Sequence, residues 1–582
     1  MPMVVFVSGG MDIGMASEGS CNFLSTMKND CGFGIRLSGF SGTWVTLAIV
    51  LCSGGLFAAP SESYMCYKPT AGLSDYPWEK TGWWFDSTGS VPTLNRVPTK
   101  DDIVFLYSSK NNVLNGMPPM RIGSGIRAET GKLIVCDKDN GPSYQIGIRV
   151  EKGGEMVNYG DVIIGSGDSA TKNAGGGFLE VEDGGRWTAY RNFSLGVSPR
   201  SSALVVKAGG IFSCTNGEFM VGREFGAACV TNAGEMVLKD FFVGGGSGEV
   251  VLNGSARVTN DVMKIEVGGL GASSLTLNGS SRLSAVTNLS LSAEEKGSKT
   301  SLRLRGGTIE MRAVESQSEY QLVLGSKTSA DRVEVRGWGE FASAESNPWP
   351  QMLRLTPYGR VVADGEGEAR DLDFSIFRTV GQQLTNYNPG SGSSNGWYAV
   401  NGGRLLFPAQ QNFDNTRSAC CVGQHPWASA PNLVNAFKVD FTRDANGTTG
   451  YFHAELHAAD RTEIPAGLGD GFIQTRRVQG VWRIGFFNSR TVEGRGPRNS
   501  WSDAKVTFRY DSTGLEEGWM VKLLHHDGTE KGCWRTVGQC VHDPANCLIS
   551  DASVRQPGSD TYNFGWYAVV AYRKSGLLIV VY

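Results

Sequence analysis

Leu179-Glu180-Val181, then Gly184-Gly185, then Leu195-Gly196: this stretch carries the grammar on which the fold turns. It is preceded by Ile148-Arg149-Val150, Gly153-Gly154 and Ile164-Gly165, and followed by Leu204-Val205-Val206, Gly209-Gly210 and Val221-Gly222. Val230, Gly234 and Val243-Gly244 come next, then Val250-Val251-Leu252, Gly254 and Val267-Gly268. Leu275-Thr276-Leu277, Gly279 and Leu291-Ser292 form a sixth copy, and Leu302-Arg303-Leu304 with Gly306-Gly307 a seventh. The corner glycines fall at 154, 185, 210, 234, 254, 279 and 307, in steps of 31, 25, 24, 20, 25 and 28 residues.

Apolar residues on either side of one outward residue are strand geometry with one face buried. A glycine at a fixed place supplies the left-handed corner that turns the chain onto the next face. About 25 residues at ~3.3 Å each make a coil roughly 80 Å around, and coils pairing strand on strand stack at ~4.8 Å. Pro199 alone interrupts 145–312, as expected where backbone N–H groups must pair. No helical stripe is present. The reading is an all-β chain whose repeats at 145–345 form a right-handed parallel β-helix, a solenoid. A stack of β-sandwich hairpins of about 25 residues is the alternative.

Composition agrees. The chain has 582 residues, of which 78 are glycine, roughly twice the usual ~7 per cent, without the period of three that marks collagen. A hydrophobic content of 40 per cent excludes wholesale disorder. A net charge of −3 excludes a strongly basic nucleic-acid binder.

The phrasing of the repeats resembles the passenger repeats of autotransporter-like bacterial surface proteins, and the solenoid resembles the pectin-lyase-like β-helices. Trp83-Trp84-Phe85, Gly89, Pro98 and Asp101-Asp102-Ile103-Val104-Phe105 are similar to the entry cap of secreted bacterial β-helices. The resemblance implies a cap at 60–144 closing the open end of the stack, with Trp78, Trp83 and Trp84 as lids. It does not extend to a membrane barrel, for which too few residues remain.

Ahead of the cap, Trp44 to Leu51 is apolar and runs into Cys52-Ser53-Gly54-Gly55-Leu56-Phe57-Ala58-Ala59-Pro60. A short apolar run ending in small residues is an export signal, too short for the ~20 residues that cross a bilayer. Residues 1–59 are read as signal peptide, cut after Ala58 or Ala59, with Met27 as the natural start. No membrane-spanning segment is expected in the mature chain, and localisation is secreted or cell-surface.

The C-terminal third differs. All six histidines lie beyond residue 420. Gly396-Trp397-Tyr398-Ala399-Val400 is echoed by Gly565-Trp566-Tyr567-Ala568-Val569, and each copy is read as a closing hairpin. A β-rich connecting module is placed at 346–410 and a β-sandwich-like domain at 411–582, large enough to fold alone. The GWYAV phrase followed by a turn and Arg404-Leu405-Leu406-Phe407 resembles uncharacterised secreted β-helix proteins of environmental bacteria.

Chemistry is sparse. Residues 145–312 contain no histidine, and Asp101-Asp102 reads as turn and surface charge. His453-Ala454-Glu455-Leu456-His457 puts two imidazoles and a carboxylate on one strand face, but spread over about 13 Å, too far for one ion. Gly392 to Gly396 matches the nucleophile-elbow pattern inside a Ser/Gly loop, out of context. His525-His526-Asp527-Gly528 reads as a strand ending in a turn. Cys533, Cys540 and Cys547 are spaced for one local disulfide. No catalytic, cofactor-binding or metal residue is assigned. The expected function is structural or adhesive, without catalysis, towards an extracellular glycan or surface protein. Trp397, Tyr398, Trp566 and Tyr567 are candidate sugar platforms if exposed and core residues if not. The alternative is a polysaccharide lyase or glycoside hydrolase, for which three or more charged side chains converging in one groove would speak.

Overall fold

Alternation and glycine corners produce a ladder of parallel rungs. In the computed structural model, residues 63–573 are described except for several segments, the longer of which are 68–75, 87–95, 107–118, 136–144, 166–175, 313–321, 344–351, 380–393, 412–418, 426–435, 442–449, 469–475, 489–502 and 556–563. The expected export signal and cleavage position lie outside the described residues, as do Pro199 and most of the 386–396 loop.

The described residues are all-β, with parallel strands stacked in one large sheet, an arrangement compatible with a β-helix. One repeat contributes three strands, for example Gln145–Val150, Glu155–Asn158 and Val162–Ile164. Each pairs in parallel with its counterpart one repeat on: Gly176–Val181, Arg186–Ala189 and Phe193–Leu195. The repeated apolar residues consequently form unbroken inward columns. Ile148, Leu179, Leu204, Val230, Val250, Leu275, Leu302 and Val335 lie in register on successive rungs, and every one is fully buried. A second column runs Met156, Trp187, Phe212, Met236, Val258, Leu283, Ile309 and Phe341. In a third, Phe193, Phe219 and Phe241 stack with ring centroids 5.5 Å apart. The corners need glycine: Gly209 sits at φ +80, and a Cβ there would lie 2.0 Å from Asp183 Oδ1.

The parallel ladder reaches beyond 145–345 on both sides. Ser63–Tyr67 pairs in parallel with Asp102–Leu106, which pairs with Lys132–Val135. At the other end Arg332–Ser343 pairs with Gly359–Asp364, which pairs with Trp397–Asn401, while Arg370–Asp373 pairs with Gly403–Leu406. Trp78 and Trp84 are buried edge to face at 4.8 Å in the same core. Asp102 departs from the expected surface charge. It is buried, takes two hydrogen bonds from Arg96 at 2.6 and 2.7 Å, and accepts the Thr99 N–H at 2.8 Å. A carboxylate there closes the turn that starts the strand.

After Leu406 the pairing changes sense. Gly403–Leu406 pairs antiparallel with Tyr451–His457, and the sheet continues through Arg476–Phe487, Gly565–Arg573 and Trp519–His526. A separate five-stranded antiparallel sheet holds Ala419–Val422, Ala436–Phe441, Asp503–Arg509, Leu548–Arg555 and Cys540–Asp543. Rings of the two sheets meet, Phe437 with Trp482 at 5.0 Å and Phe508 with Tyr567 at 5.1 Å. The two GWYAV copies are not equivalent hairpins. The first is a rung of the parallel ladder, and the second lies between two antiparallel neighbours. Identical local sequence makes a strand in both places, and the neighbours decide how it pairs.

Candidate functional site: an arginine-lined cleft on the outer face

Outward residues of consecutive rungs build a cleft of about 280 Å³. Strand Lys299–Met311 contributes Arg303 and Arg305, and Arg332–Ser343 contributes Glu334, Arg336 and Trp338. Register places Arg303 beside Arg336 and Arg305 beside Trp338. Alternation points all five outward, because Leu302, Leu304, Val333 and Val335 between them are fully buried. The next rung, Gly359–Asp364, ends in Asp364, and Glu366 follows in the turn. Gly337 lets the rungs close up: it sits at φ +117, and a Cβ would fall 1.8 Å from the Leu304 carbonyl oxygen.

The charges are organised in pairs. Arg336 holds Asp364 Oδ2 through Nε and Nη2, both at 2.6 Å. Burial lowers the Arg336 guanidinium, but Asp364 and Glu334 outweigh it and raise its pKa. Glu334 lies 3.7 Å from Arg336 and 3.6 Å from Arg360. Arg305 Nε is 3.3 Å from Glu366 Oε1, with both side chains about half exposed. The Arg370 guanidinium stacks 4.1 Å from the Trp338 ring centre. Arg303 is exposed and makes no ion pair among the described residues. Glycoside cleavage uses two carboxyls facing each other across a bond, one able to give up a proton. Here each carboxylate is tied to an arginine, an arrangement for holding polar groups.

No family model, curated protein or solved structure matches this chain.

The motifs singled out from sequence fall elsewhere. His453, Glu455 and His457 do share a face, and all three are buried. His457 Nε2 lies 2.9 Å from Glu455 Oε2, while His453 packs edge to face on Phe487 at 5.1 Å. Arg404 reaches Glu455 at 3.4 Å and grips Asp371 with two bonds at 3.0 and 2.5 Å. Arg461, 3 per cent exposed, joins Asp371 to Glu463. This is an internal charge network where the parallel ladder passes into the antiparallel sheet. Among the described residues no group of three His, Cys, Asp or Glu could hold a metal ion.

His526 ends its strand as expected, with Nδ1 accepting the Gly528 N–H at 3.0 Å. Trp566 and Tyr567 are buried on opposite faces of their strand, so neither is a sugar platform. The side chains of Trp397 and Tyr398 lie outside the described residues, as does most of Gly392 to Gly396. The local disulfide among Cys533, Cys540 and Cys547 is not formed: all three are free thiols, as are Cys214 and Cys229. Among the described residues no helix is long and apolar enough to cross a membrane.

Sequence reasoning missed the cleft because its parts lie on three successive rungs of the ladder. The available signal was alternation of charge with core residues, Arg303-Leu304-Arg305 and Glu334-Val335-Arg336-Gly337-Trp338.

Proposed function

We propose that the chain is an exported, non-enzymatic protein of the cell surface or extracellular space, a rod with a structural or adhesive role. Its finer architecture is a right-handed parallel β-helix closed by a C-terminal β-sandwich. The cap at 60–144, the connecting module at 346–410 and the 411–582 domain are parts of that proposal. The observation that carries the functional reading is the cleft. Donors and acceptors from adjacent strands, Arg336 and Asp364 held by ion pairing, converge beside an indole, which suits recognition of a polar ligand such as an extracellular glycan.

The enzymatic reading, a polysaccharide lyase or hydrolase, draws on the same cleft, where three arginines meet three carboxylates. The ion pairing of those carboxylates favours binding. A glycan and protein binding screen on the mature chain, run beside a polysaccharide-degradation assay, separates the two. Binding without new reducing or unsaturated sugar ends is expected. Release of such ends, lost on Asp364→Asn, would establish the enzyme instead. Amino-terminal sequencing of exported protein should find a start near Ala59 or Pro60.

A further inference from the structure

We propose that the cleft takes an acidic saccharide unit, whose anionic group lies between Arg303 and Arg305, and that Glu366 occupies part of this position in the free protein. The assignment rests on the binding reading above and names its ligand class.

Charge accounting within the cleft isolates the place. Arg336 is matched by Asp364 with two contacts at 2.6 Å, and Glu334 lies between Arg336 and Arg360. Arg303, one rung from Arg336 and about 4.8 Å away along the stack, has no such partner among the described residues. Among the described residues Arg305 is matched only by Glu366, at 3.3 Å and with about half of each side chain in water. An exposed pair of that kind is weak and exchangeable. A ligand carboxylate or sulfate that reaches both guanidiniums replaces one solvent-screened contact with two charge-assisted ones.

Glu366 supports the same place from its backbone. It sits at φ +50, and Cys547 is the other described non-glycine residue with positive φ. That conformation is unfavourable for a side-chain-bearing residue. It brings the carboxylate over Arg305, and the Glu366 N–H points to Asp364 Oδ1 at 3.4 Å. The turn thus presents an internal carboxylate where a ligand's would go.

The remaining lining selects a saccharide over an acidic peptide. Glu334 and Asp364 offer oxygens that accept from hydroxyl groups and repel further carboxylates. Trp338, with the Arg370 guanidinium 4.1 Å from its ring centre, is partly exposed and offers its remaining apolar surface to the C–H groups of a ring. At about 280 Å³ the cleft is at the small end of ligand sites, enough for one unit of a longer chain.

The test is calorimetric titration of the full chain with a uronic-acid trisaccharide, its sulfated and its neutral counterparts, and a hexaglutamate peptide. Binding of the uronate or the sulfated trisaccharide, with the neutral one at least tenfold weaker, is expected, and the better of the two names the anion. Arg303→Ala should weaken that binding roughly tenfold or more, the loss of a charge-assisted contact. Glu366→Gly should strengthen it about two- to fivefold, since glycine keeps φ +50 without strain and the competing carboxylate is gone. Arg303→Ala should melt as the parent does, and Glu366→Gly at or slightly above it, since the left-handed strain at φ +50 is relieved.

Equal binding of the neutral trisaccharide, or preference for the peptide, overturns the ligand class. Acidic saccharide binding that is indifferent to Arg303→Ala overturns the site and leaves the adhesive reading standing. A chain that binds no saccharide or protein in the wider screen removes the adhesive reading itself.

Discussion

Glu455 Oε2 lies 2.9 Å from His457 Nε2 at the point where the parallel ladder gives way to antiparallel strands, with His457 fully buried. Burial pushes the His457 imidazole below its ordinary 6.5, against the pull of Glu455. Burial does the same to His525, whose Nε2 lies 3.0 Å from the Phe564 carbonyl oxygen. In the fold both rings therefore stay neutral at pH values where the unfolded chain already binds protons. Stability is fully present above about pH 6.5 and is lost as pH falls from there towards the folded pKa values, by at most ~1.4 kcal/mol per pH unit per histidine. Melting temperatures at about pH 8 and pH 5.5 should differ, with a smaller difference in His457→Gln. Equal melting at both pH values would remove the assignment.

Val206→Asp should destabilise the ladder by several kcal/mol, because an unpaired carboxylate would enter a fully buried column. Val205→Asp, one residue away and facing outward, should cost far less. Denaturant unfolding of both variants checks the facing; similar losses would contradict it.

Gly337→Ala should cost roughly 1–3 kcal/mol from backbone conformation alone, with a further penalty from the Cβ at 1.8 Å from the Leu304 oxygen. The added methyl forces two rungs apart beneath the cleft. Ligand affinity and melting temperature should fall together, whereas Arg303→Ala should move affinity alone.

Arg461→Ala should lower stability by roughly 1–3 kcal/mol, since Glu463 and Asp371 lose a guanidinium that is itself 3 per cent exposed. Glu463 is held below its ordinary pKa chiefly by that arginine. Part of the loss should accordingly disappear in acid, where Glu463 takes up a proton. A loss that is constant from neutral pH to about pH 3 would argue for lost packing instead.

A fragment starting at residue 359 should melt higher than one starting at 411. The shorter fragment leaves Tyr451–His457 without Gly403–Leu406 along one edge and without the Arg404 contacts to Glu455. Circular dichroism melts of the two, with limited proteolysis, test how far the C-terminal part depends on the last rungs of the ladder.

The ladder of parallel strands was legible in the amino-acid sequence because its causes are local. Two apolar residues astride an outward one, then a glycine corner, state which side chains turn in, and Leu179, Leu204 and Val206 are buried as that pattern demands. What the local pattern cannot express is which outward residues meet. Arg303 and Arg336 are 33 residues apart and adjacent because repeat length and register bring them side by side. The same holds for Asp371 and Arg404, for the buried Asp102, for the free thiols of Cys533, Cys540 and Cys547, and for the different pairing of the two GWYAV segments. Strand propensity and face come from nearest neighbours along the chain; ion pairing, cleft formation and the sense of strand pairing come from neighbours across it, and only the tertiary structure chooses those.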